Sequence, residues 1–171
     1  MQASIEQFLE QVARRGSWVG GGSVAAFSAA LSAALLEKLI ADPRAARRLR
    51  QARRECLALL QRDAEAFARV IRTTRRKDRR AFRVALQAAT EVPCRVFEHA
   101  QRVQVACRAA QRAVKPRFQS DLRCAMAVAM AAGESARTLV QTNLAWLGDP
   151  AYAARIRRRL QSAHPHAHNR R

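Results

Sequence analysis

Aromatic residues make up only 5 % of the 171 residues, and runs of β-branched side chains are missing. Pleated sheets are built from those two classes, so their scarcity argues against strands. No CxxC pair occurs: Cys56, Cys94, Cys107 and Cys124 are widely spaced among apolar neighbours. That pattern excludes a zinc ribbon or disulfide framework and predicts four buried, reduced thiols. The N-terminal MQASIEQFLEQ reads as an amphipathic helix, not as a charged region followed by an apolar one, so no signal peptide is expected. The longest uncharged apolar run, Val24 to Leu36, covers 13 residues, short of the ~20 that span a bilayer. The chain is therefore expected to be soluble and cytoplasmic, without a membrane partner. Acidic residues are scarce too, 13 against 32 Lys and Arg, which leaves a formal charge of +19. Such a surface attracts anions, whether nucleic acid, acidic lipid or polyanionic small molecules. Its main block, Arg75 to Arg80, is expected in a solvated helix connection.

Alanine, leucine, arginine and glutamine dominate, all good helix formers. They point to an all-α, single-domain bundle of about five to six helices over residues 1–161, with residues 162–171 a disordered tail containing His164, His166 and His168. Ser4 is placed to cap the first helix and Ser23 the second. From Val24 to Ile40 small residues cover most faces, as in a central helix or one at a subunit contact. A third helix follows Asp42-Pro43, with Leu49, Ala52, Cys56, Leu59, Asp63, Phe67 and Val70 along one seam. A fourth covers roughly Asp78 to Val114, and Pro93 predicts a kink or break within it. The fifth starts near Ser120-Asp121 and is predicted to turn Met126, Met130, Gly133, Ala136 and Val140 inward. Asp149-Pro150 opens a short last helix.

Three features stand out chemically. Gly20, Gly21 and Gly22 precede a helix N-terminus, where backbone N–H groups lack partners and the dipole is positive. Glycine lets an anion or carbonyl approach them closely, although a simple chain turn explains the triplet equally well. The lysine of a nucleotide-binding P-loop is absent. Asp63 is a carboxylate on an apolar seam, which needs either a buried partner or a chemical role. Asp121 reads as a first-turn acid complementing the helix dipole, and Asn143 lies near an inner seam.

The series GGGSVAA (Gly20 to Ala26), DAEAF (Asp63 to Phe67), EVP (Glu91 to Pro93), SD (Ser120, Asp121) and NL (Asn143, Leu144) resembles the cyclodeaminase/cyclohydrolase family. The likeness spans about Ile5 to Leu160. It implies a helical subunit that pairs into a homodimer and acts on a tetrahydrofolate derivative with no tightly bound cofactor and no metal. The reaction implied is ammonia release from 5-formiminotetrahydrofolate, or interconversion of the methenyl and 10-formyl forms with water. Asp63 and Asp121 then take the catalytic roles, and Gly20, Gly21, Gly22, Ser23 and Asn143 bind substrate. The sequence departs from the family pattern at Trp18-Val19, usually proline, at Lys38, commonly methionine, and at Leu139, an asparagine position. The link from Asp42 to Arg44 is also short for the family. Two other readings compete: a degenerate, non-catalytic member, and a basic helical module for nucleic acid. Against the latter, aromatic residues do not interleave the basic runs, and no DNA-reading motif is visible.

Overall fold

The computed structural model describes residues 2–163. In chain order they form α1 (Gln2–Ala13), α2 (Gly21–Leu39), α3 (Pro43–Arg75), α4 (Arg79–Ala110), a 3-10 turn (Pro116–Phe118), α5 (Gln119–Leu147) and α6 (Pro150–Ala163). The all-α bundle expected from composition is present, with no strand among the described residues. The histidine-rich stretch from His164 lies outside them.

Local chemistry sets most boundaries. Asp42 caps α3 ahead of Pro43, its Oδ2 accepting from the Ala45 N–H at 2.8 Å. Asp78 caps α4 by accepting from the Ala81 N–H at 2.9 Å, and Asp149 caps α6 by accepting from Tyr152 at 3.0 Å. Gly148 ends α5 in the left-handed region at φ 61°, where glycine carries no Cβ penalty. Arg159 on α6 is clasped by Glu91 and Glu98 of α4, both at 2.5 Å.

α2 is the central helix and packs on α3, α4 and α5. Ala25, Ala26, Ala29, Ala30 and Ala33 are all buried along it, so neighbouring backbones come close. Ser32 fits the same face because its hydroxyl donates to the Ala125 carbonyl at 2.6 Å. By length and composition alone α2 could cross a membrane, and half of it is buried inside this bundle.

Several expectations are corrected. Ser4 lies inside α1, which is already helical at Gln2, so it does not stand at the N-cap position. Met130 and Phe67 are exposed, at 56 % and 40 %. The buried stripes keep the expected Val70, Gly133, Ala136 and Val140, with Ala66 and Ala129 in place of Phe67 and Met130. On α3 the alternation of three and four steps runs through Leu59, Asp63, Ala66 and Val70, so the second step of four that reaches Phe67 turns off the buried side. Cys56, Cys94 and Cys107 are buried, and Cys124 is exposed. α4 ends at Ala110, and it runs unbroken through Pro93. Pro93 has no N–H for the Ala89 carbonyl; the Asn143 side-chain amide donates to that carbonyl instead, at 3.4 Å.

Candidate active site

The N-cap of α2 is Gly20, with no side-chain cap of its own. Ser23, expected as the cap, sits three residues into the helix and is fully buried. The capping acid comes from another helix. Asp63 on α3 receives hydrogen bonds from the Ser23 backbone N–H and from its hydroxyl, the latter at 3.0 Å. Its carboxylate fills the space beside Gly22: a Cβ there would meet Asp63 Oδ2 at 2.7 Å and Oδ1 and Cγ closer still. The close approach that glycine allows is thus used first by the protein's own carboxylate. Open space surrounds Gly20, and a Cβ on Gly21 would make only ordinary contact with Leu139, at 3.6 Å.

Asp63 is half-buried. Burial pushes its pKa above the usual aspartate value, and the two bonds from Ser23 pull the other way without overcoming it. The Ser23 hydroxyl also lies 3.2 Å from the Leu60 carbonyl. Its single proton can go to an ionised Asp63; when Asp63 holds the proton, Ser23 can accept from it and donate to Leu60. This gives a two-way proton position on the first turn of a helix, at the positive end of its dipole. The Leu60 carbonyl has no sequence signal beyond lying one turn before Asp63.

The other sequence-derived residues do not gather here. Asp121 lies in the first turn of α5 and pairs with Lys38 near the end of α2, at 3.3 Å. Lys38 is fifteen residues past Ser23, about 22 Å along the helix axis. Within one chain, Asp63 and Asp121 therefore face opposite ends of α2. Asn143 is half-buried and bonded to the Ala89 carbonyl. The block Arg75 to Arg80 is exposed at the α3–α4 turn. Next to it is a hollow of about 550 Å3 lined by Arg69, Arg72, Arg76 and Arg80.

Three positions at which the sequence departs from the family pattern touch this machinery. The Trp18 ring lies edge-on to Phe67, with centroids 6.2 Å apart. Leu139 faces Gly21, and Lys38 holds Asp121.

The formiminotransferase-cyclodeaminase family matches residues 4–162. The chain belongs to that family. Among solved structures, this cyclodeaminase-family chain is similar to a formiminotetrahydrofolate cyclodeaminase from Thermotoga maritima. The TM-score is 0.86 at 21 % identity, over 92 % of this chain and 86 % of that one. At that identity the likeness establishes a shared helical fold. No curated protein matches the chain.

Proposed function

We propose that the protein is a folate one-carbon enzyme, a formiminotetrahydrofolate cyclodeaminase, with Asp63 as its acid–base group. The observation that carries this reading is the Asp63 carboxylate held on the first turn of α2, with a raised pKa and the Ser23 hydroxyl at 3.0 Å. In the deaminase direction N10 of the substrate bonds to the formimino carbon and gives up its proton. The amino group takes a proton, its bond to carbon breaks, and ammonia leaves the methenyl cation behind. One carboxylate whose pKa is raised by burial can accept the first proton and supply the second. Once ionised, it also stabilises the amidinium-like charge of the product. The methenyl–10-formyl interconversion needs the same carboxylate, with water as the nucleophile.

The reading includes a homodimer. Val24 and Leu31 expose an apolar stripe on α2, and Ile5 and Leu9 do so on α1. A second copy laid antiparallel along α2 would bring Asp121 of the partner subunit toward Asp63, which one chain cannot do. The glycine turn with Ser23 and Asn143 would then border a folate bound between the copies.

The test follows methenyltetrahydrofolate absorbance after adding 5-formiminotetrahydrofolate to purified protein. Turnover is expected, with Asp63→Asn and Asp121→Asn each reduced at least ~100-fold. Mixing the two inactive variants should restore activity, because one of the two sites in a mixed dimer then holds both acids. Turnover that survives Asp63→Asn overturns the assignment; failure of the mixture with both parents folded overturns the shared site. One observation favours a second reading, a non-catalytic member: Lys38 occupies the Asp121 carboxylate. Absence of turnover in every arm would decide for it.

A further inference from the structure

Beside the α3–α4 turn lies the arginine-lined hollow of about 550 Å3, within the ~300–1,000 Å3 of small-molecule sites. Arg69, Arg72 and Arg76 fall at i, i+3 and i+7, so they share one face of α3 within about 10 Å along its axis. Arg80 joins them from the first turn of α4. Ala81, Val84, Ala85 and Ala88 repeat at helical spacing on α4 and give the hollow an apolar floor. Val84 is left 62 % exposed there.

The protein does not balance these charges. Elsewhere Arg50 and Arg53 pair with Glu37, Arg83 with Asp149, Arg137 with Glu134, and Arg159 with Glu91 and Glu98. None of the four arginines of the hollow forms an ion pair among the described residues. The single acid on its wall, Asp78, is engaged as the N-cap of α4, accepting from the Ala81 N–H. All four arginines are exposed, so an incoming anion reaches them without any rearrangement of the core.

An anion that fits must carry several negative charges in a small volume, and a polyphosphate chain does so on adjacent phosphorus atoms. Guanidinium groups present paired N–H donors that match phosphate oxygens. The apolar floor leaves room for an organic body. No residue lining the hollow is aromatic, whereas surfaces that carry single-stranded nucleic acid stack bases on aromatic rings. A small ligand therefore suits the hollow better than a strand.

We propose that this hollow is a second binding site, for a nucleoside triphosphate. Its phosphates meet Arg69, Arg72, Arg76 and Arg80, and its nucleoside lies on the α4 floor. The inference does not depend on the reaction proposed for Asp63.

Calorimetric titration of the full chain with ATP, AMP and inorganic triphosphate tests the site. One ATP per chain is expected, with AMP at least tenfold weaker and triphosphate at least threefold weaker. Arg72→Gln combined with Arg76→Gln should weaken ATP at least tenfold. Arg157→Gln combined with Arg158→Gln removes the same charge from exposed positions on α6 and should change it less than twofold. Val84→Ser should narrow the gap between ATP and triphosphate, and Asp63→Asn should leave ATP binding unchanged. The proposal is overturned if ATP does not saturate by about 1 mM. It also falls if both arginine pairs weaken ATP equally, which would mark attraction by net charge alone, or if triphosphate binds as well as ATP. A random single-stranded DNA dodecamer that binds more tightly than ATP at the same salt, through the Arg72 and Arg76 pair, would overturn it in favour of a nucleic-acid surface. Every substituted arginine and Val84 is exposed, and helical circular dichroism confirms that the variants fold.

Discussion

The Asp63 carboxylate occupies the volume that a side chain on Gly22 would need. Gly22→Ala must therefore displace the carboxylate from the first turn of α2. The expected result is a loss of ~1–3 kcal/mol in denaturant unfolding, together with loss of turnover. Gly20→Ala meets open space with an extended backbone and should leave the unfolding free energy nearly unchanged.

Asp63 should also lower stability at neutral pH. Its pKa is higher in the folded chain than the ordinary 3.8, so the folded state binds its proton more tightly than the unfolded state does. The contribution is favourable below 3.8 and is lost as pH rises through the folded-state pKa. Urea unfolding across that window should show wild-type stability falling relative to Asp63→Asn. The variant should be the more stable at pH 7 and the less active.

Much of the fold was legible in the residues, for local reasons. Asp42-Pro43 and Asp149-Pro150 cap and start helices through their own side chains and the next turn, so sequence spacing suffices. Ser23 misled because the group that serves the start of α2 comes from forty residues downstream. Pro93 does not break the chain, and the carbonyl it leaves without a helical donor is reached by Asn143, fifty-four residues away. The candidate acid Asp63 was visible as a charge on an apolar seam. Its remoteness from Asp121 was not, because α2 sets that distance.

The Asn143–Ala89 bond gives a double-mutant test. Asn143→Leu should orphan the Ala89 carbonyl and lower stability by ~1–3 kcal/mol. With Pro93→Ala also present, residue 93 regains an N–H and the ordinary helical bond can form, so the same change should cost clearly less. A coupling below ~0.5 kcal/mol would show that the amide does not stand in for the missing donor.

The Lys38–Asp121 pair is exposed on the lysine side, at 64 %, so its stability contribution is small. Lys38→Met should change unfolding free energy by no more than ~0.5–1 kcal/mol. It frees the Asp121 carboxylate and should raise turnover on 5-formiminotetrahydrofolate. Unchanged kinetics would remove Lys38 from any account of the reaction.

Because the first turn of α2 is finished by a group on α3, it cannot mature during early, local helix growth. Exchange protection at the Ser23 amide should arise only when the α2–α3 hairpin closes. Assembly of the reactive corner and docking of the hairpin are then one kinetic event, and a half-folded subunit carries no half-built corner.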